Sequence, residues 1–175
     1  PGSAITATGD FELNGGSIDV SGDGLTALSD VTFDGGSITT NSSGQLTLNS
    51  QSDQTIELAR DSDESVRFLT VDKPTSVNLN LNDTESASNN QLTVSRDFNF
   101  AAGRLVLDEG DNSFSNDTVL KLERSATLAG IIEGAGGDED INLAPNQSST
   151  TIAGNGIIQV PLNFDSSNDL TFDEL

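Results

Sequence analysis

Apolar and polar residues alternate in short runs along the whole chain: Leu46-Thr-Leu48, Ile56-Glu-Leu58, Val66-Arg-Phe68, Val77-Asn-Leu79-Asn-Leu81, Leu92-Thr-Val94, Ile141-Asn-Leu143, Leu162-Asn-Phe164 and Leu170-Thr-Phe172. A period of two puts the apolar residues on one side of an extended backbone and the polar ones on the other, the pattern of a half-buried strand. Gly, Asn, Asp or Ser bounds each run, and these residues form tight turns and tolerate positive φ. No window carries apolar residues at i, i+3, i+4 and i+7 over three turns. The polar positions are mostly Ser, Thr, Asn and Asp, whose side chains compete with a helical backbone for hydrogen bonds. The pattern predicts an all-β chain of many short strands.

Two of these stretches are nearly the same sentence. Phe11-Glu-Leu-Asn-Gly-Gly-Ser-Ile-Asp-Val20 and Val31-Thr-Phe-Asp-Gly-Gly-Ser-Ile-Thr-Thr40 lie 20 residues apart. Phe11 maps to Val31, Leu13 to Phe33, the Gly15-Gly16 pair to Gly35-Gly36, and Ile18 to Ile38. A more degenerate third copy runs Phe98-Asn-Phe100-Ala-Ala-Gly103-Arg-Leu105, with Gly103 in the place of the second glycine and Leu105 in that of Ile18. One such unit is too short to bury its own apolar side, so units must stack and share a core.

Stacked units of this kind predict a parallel β-helix, a solenoid with one coil per repeat of about 20 residues. The alternative, a β-sandwich, calls for strands of about five or six residues and an aromatic-rich core. Here there is no Trp or Tyr, and the core inventory is Ile, Leu, Val and 8 Phe. Roughly eight coils at a strand spacing of ~4.8 Å make a rod on the order of 40 Å long. Departures from the pattern at 82–90 and 108–117 predict loops or an interruption.

The Gly-Gly-Ser-Ile coils, Gly44-Gln-Leu-Thr-Leu-Asn49 and Ser149-Thr-Thr-Ile-Ala-Gly-Asn-Gly-Ile-Ile158 resemble the passenger segments of large secreted bacterial β-helix proteins, the filamentous-haemagglutinin-type adhesins and autotransporter passengers. The resemblance covers about half the chain and is one of style rather than of a diagnostic motif. It implies a right-handed parallel β-helix, export to the cell surface, and a stalk or adhesive role. Pro1-Gly2-Ser3 resembles a cloning scar. Residues 4–175 are expected to form a single solenoid segment of a longer repetitive protein, with neighbouring coils of that parent as its first partners.

Charge and composition narrow the functions. A formal net charge of −21, from 28 acidic against 7 basic residues, repels phosphate backbones and anionic membrane surfaces, so neither nucleic acid nor membrane insertion is expected. His and Cys are both absent, which removes Ser–His and Cys–His nucleophilic chemistry and thiolate metal sites. A glycosidase needs two opposed carboxylates, a pattern that 28 acidic residues satisfy by chance, and no Trp or Tyr offers a platform for a sugar ring. The chain is therefore expected not to be an enzyme.

The acidity itself has three explanations: a solvated surface that keeps a β-rich rod soluble, adaptation to high salt, or Ca²⁺ binding. Acidic clusters occur at 61–64, 108–111 and 136–140, with Asp19 and Asp23 near one corner. Asp138, Glu139 and Asp140 are the candidate metal ligands, in a segment that faintly echoes the Gly-Gly-x-Gly-x-Asp repeat of Ca²⁺-binding β-rolls, though once rather than in tandem. All seven basic residues fall between Arg60 and Arg124, as a mixed-charge stripe or as pairs between neighbouring coils. An ice-binding β-helix would need Thr-x-Thr at one position of every coil, and only scattered cases such as Thr6-Ala-Thr8 occur. Four Asn-x-Ser/Thr sequons, beginning at Asn41, Asn82, Asn116 and Asn146, are what Ser/Thr/Asn-rich sequence supplies by chance.

The expected function is thus a non-catalytic structural or adhesive segment, a stalk, of a large extracellular surface protein. Two other readings remain open at this stage. One is a Ca²⁺-dependent module that binds a host glycan or protein, and the other is a subunit of a trimeric phage-type fibre.

Overall fold

The structure, a computed structural model, describes residues 4–20, 24–39, 45–59, 64–84, 91–108, 118–135, 139–145, 150–164 and 170–173. Among them every regular element is a strand, and the strands recur in triplets. The first coil is β1 (Ile5–Ala7), β2 (Phe11–Leu13) and β3 (Gly16–Asp19), and the second repeats it as β4 (Leu25–Ala27), β5 (Val31–Phe33) and β6 (Gly36–Thr39). The third is β7 (Leu46–Leu48), β8 (Gln54–Leu58) and β9 (Glu64–Val66), and the fourth β10 (Leu69–Asp72), β11 (Asn78–Asp83) and β12 (Gln91–Val94). The fifth is β13 (Phe98–Ala102), β14 (Arg104–Asp108) and β15 (Val119–Leu122), and the sixth β16 (Ala126–Leu128), β17 (Ile131–Gly134) and β18 (Asp140–Leu143). The seventh is β19 (Thr150–Gly154), β20 (Ile157–Ile158) and β21 (Leu162–Phe164), after which β22 (Leu170–Asp173) follows on the first face.

Each member of a triplet except β6 pairs with its counterpart in the next coil, always in parallel. The first face is an 8-stranded sheet from β1 to β22, and the second a 7-stranded sheet from β2 to β20. On the third face a 2-stranded piece, β3-β6, is followed by a 5-stranded sheet from β9 to β21. The chain is a three-faced β-solenoid. The repeat identified in sequence is its coil: Phe11 pairs with Val31, Leu13 with Phe33, and Ile18 with Ile38.

The Gly pair of the repeat makes the corner from the second face to the third. Gly15 and Gly35, at φ +94 and +76, occupy the left-handed region that a side chain disfavours. In later coils more residues separate the strands of these two faces, so the coil length is not constant. A coil advances 20 residues from Ile5 to Leu25, but 29 from Leu69 to Phe98 and 28 from Phe98 to Ala126. The departures expected at 82–90 and 108–117 fall at this corner, and most of their residues lie outside those described. The ladders of the first two faces run on past them, because only strand residues are bound in a ladder. The third repeat copy is out of phase: Phe98 and Phe100 lie on the first face and Leu105 on the second, whereas Phe11 and Leu13 lie on the second and Ile18 on the third. A strand–glycine–strand pattern marks any corner of a solenoid, so similarity alone does not say which one.

Inside, like positions stack into columns that run the length of the molecule. On the first face Leu25, Leu46, Leu69, Phe98 and Ile152 are each no more than 2 % exposed. Val31, Ile56, Leu81 and Leu107 continue the core on the second face, and Leu92, Leu120 and Ile141 on the third. Full burial of each such side chain stabilises by roughly 1.5–3 kcal/mol. The rings of Phe98 and Phe100 add a near-parallel contact, with centroids 6.1 Å apart.

Candidate functional site

The three candidate metal ligands do not share one environment. Asp138 lies outside the described residues. Glu139 continues the inward phase of Ile141 and Leu143 and is 2 % exposed. Its carboxylate packs against Gly134, which stands in the same column as Leu81 and Leu107, and fills the space a side chain there would take. Asp140 has the opposite phase, and its Oδ2 accepts a hydrogen bond from Asn163 Nδ2 at 2.6 Å on the neighbouring coil. Successive residues of an extended chain point to opposite sides, so Glu139 and Asp140 diverge. Among the described residues no three acidic, His or Cys side chains gather as a metal-binding group. The other acidic clusters are represented mainly by Glu64 and Asp108, since 61–63 and 109–111 lie outside the described residues; Glu64 is buried at an inward position, stacked with Leu92.

The densest buried polar chemistry lies elsewhere, at the corner between the first and second faces, and sequence reasoning missed it. Lys73 directly follows β10, in the inward phase of Leu69 and Val71, and is only 2 % exposed. Its ammonium donates to the carbonyl oxygen of Ser52 in the coil before, at 3.1 Å. In the coil after, Gly103 leaves room for it: a methyl group there would lie 3.0 Å from Lys73 Cβ. Burial pushes the Lys73 amine down to about 8, against the opposing pull of Asp53 and Asp30. Gln54, 1 % exposed, donates its amide to the carbonyls of Ala27 and Ser29, the first at 3.2 Å.

The two aspartates complete the corner from the other side. Asp30 Oδ1 accepts from the backbone N–H of Thr55 at 2.7 Å, and Asp53 Oδ1 from that of Asn78 at 2.8 Å. Peptide groups in or beside the strand ends need partners where the ladders run out, and side chains of an adjacent coil supply them. The corner is built to join coils.

The outer faces carry charge pairs and a polar column. Arg104 forms a two-pronged pair with Glu133 of the next coil, its Nε donating at 3.1 Å, and Lys121 lies 3.4 Å from Glu123 on its own coil. The Arg67 guanidinium sits 5.9 Å from the centroid of the Phe68 ring, and Arg60 is outside the described residues. A pair between coils is thus present, one of the two arrangements expected of the basic residues. The registry also aligns Thr6, Thr26, Thr47, Thr70, Asn99, Thr127 and Ala153 in one outward column of the first face. The column is single, because the residues two positions further on are Thr8, Leu28, Asn49 and Asp72 in the first four coils.

No family model matches the chain, and no curated protein and no solved structure is significantly similar to it.

Proposed function

We infer that this chain is a non-catalytic structural segment, a stalk that serves adhesion, of a large extracellular surface protein of the bacterial adhesin or autotransporter-passenger kind. The observation that carries this reading is the continuous parallel ladder of the first face over 8 strands. Each coil adds one strand spacing, ~4.8 Å, to the axis whatever its length, so chain length becomes reach. The corner chemistry agrees with that role. Lys73, Gln54, Asp30 and Asp53 each spend their polar groups on the backbone of an adjacent coil. A surface of net charge −21 keeps such a rod solvated.

The test is thermal melting in CaCl₂ and in NaCl at matched ionic strength, together with binding of the purified chain to a glycan panel and to host cells. A stalk is expected to gain the same stability from either salt, through screening of acid–acid repulsion, and to show no saturable binding. A rise in Tm specific to Ca²⁺ and persisting at high NaCl, with Ca²⁺-dependent binding, would replace the stalk by a binding module.

A further inference from the structure

Arg96 and Arg124 hold the same position at the corner from the third face to the first, in adjacent coils. Each lies two residues after an inward residue of the third face, Val94 or Leu122, and two before an inward residue of the first, Phe98 or Ala126. Both ends of the corner are in register, for Val94 pairs with Leu122 and Phe98 with Ala126. The position continues into the next coil as Thr150, since Ala126 pairs with Ile152 and the N–H of Thr151 donates to Ser125 Oγ at 3.3 Å. Neighbours along such a column are one strand spacing apart, ~4.8 Å.

The column is unfavourable as it stands. Like charges on adjacent strands repel, and neither guanidinium forms an ion pair with another described residue. Glu123 goes to Lys121 instead, and Asp97 holds an exposed outward position beside Arg96. Both arginines are partly buried, and the Nε of Arg124 is fully buried with no hydrogen-bond partner. In the next coil Thr150, 2 % exposed, has an unpartnered Oγ1. Leaving a buried donor or hydroxyl unpaired is costly, and a charged donor most of all.

Repulsion and unpaired groups share one remedy, an anion that accepts from the guanidiniums and from the hydroxyl. A dianion offsets both arginines, and the guanidinium fork matches oxyanions two bonds at a time. The donors come from three successive coils, which suits the several oxygens of phosphate or sulfate better than the two of a carboxylate. Arg124 Nε and Thr150 Oγ1 are both buried atoms, so the occupant is a small free ion and not a group carried on a polymer.

We propose that Arg96, Arg124 and Thr150 bind one free phosphate or sulfate ion, which ties three coils together at this corner. The net charge of −21 opposes an anion at long range, but at about 0.15 M salt charges more than about 8 Å away are largely screened. The proposal concerns one corner and stands apart from the stalk reading.

Nuclear magnetic resonance of the isotope-labelled chain tests it, by titration with sodium phosphate and separately with sodium sulfate, at an ionic strength held constant with NaCl. The Arg124 Nε–Hε signal is expected to shift along a saturating curve in either salt. Arg96→Gln is expected to weaken binding by about tenfold or more, and Thr150→Val to weaken it as well, with circular dichroism confirming retained strand content. Arg104→Gln removes the same charge from the second face, where Arg104 pairs with Glu133, and is expected to leave the affinity unchanged. A signal that stays in place throughout both titrations would overturn the proposal, since water then satisfies the buried groups. So would an Arg104→Gln effect as large as that of Arg96→Gln, because the attraction would then be diffuse. Dextran sulfate is expected not to compete with the free ions, and competition would contradict the assignment to a free ion.

Discussion

Lys73, Glu64 and Glu139 are the three buried charged residues of the described chain, and the same parity explains all of them. Each keeps step with the apolar side of a strand: Lys73 with Leu69 and Val71, Glu64 with Val66, and Glu139 with Ile141 and Leu143. The signal that could have found them was therefore present, but a charged residue beside a turn is ordinarily solvated and reads as loop. That is why Glu139 entered as a candidate ligand beside Asp140, although the backbone turns the two apart. The lowered Lys73 pKa has a consequence for stability. Between about 8, where the folded protein releases this proton, and 10.5, where the unfolded chain does, the unfolded state holds the extra proton. Stability therefore rises with pH across that window and is at its lower level below it. The chain contains no Tyr and no Cys to titrate in the same range. Urea unfolding from pH 7 to 11 is expected to show this rise in the wild type and to lose it in Lys73→Met. Parallel profiles would mean that the amine is solvated.

At the scale of the strand and the corner, the sequence was legible wherever alternation and glycine coincide. The pairings Phe11 with Val31 and Ile18 with Ile38 follow directly from the repeat. Phase was not legible: the Phe98 to Leu105 stretch fits the repeat in pattern, yet turns a different corner. The longer coils were hidden for a related reason, since insertions between the second and third faces dilute the period while the ladders of the first two faces run on. Corners near the C-terminal end depend on close backbone approach. At Gly154, φ is +120 and a methyl group would lie 2.1 Å from the carbonyl oxygen of Leu128 in the coil below, whereas Gly9 has no atom within 4 Å of that position. Gly154→Ala is expected to lower Tm sharply by separating β16 from β19, and Gly9→Ala to leave it nearly unchanged. Equal effects in calorimetry would contradict the stacking at this corner.

For the molecule as a whole, the all-β class, the parallel solenoid and the coil as repeat unit were readable because a short unit with one apolar side has few ways to bury it. What the chain presents to other molecules was less readable. The single Thr column and the joining of coils by Lys73 and Gln54 depend on which coil lies above which, and variable corner loops conceal that in a linear sequence. The central claim is that successive coils add equal increments along one axis, and spin labels test it most directly in a protein that lacks native cysteine. With Thr6→Cys as the common site, partners at Thr70, Thr127 and Asp173 lie three, five and seven strands away in one column. Pulsed electron–electron resonance on the dilute double variants is expected to give separations increasing in even steps, at about 14, 24 and 34 Å. Separations that fail to grow with strand count, or that double back between Thr70 and Asp173, would contradict a continuous solenoid.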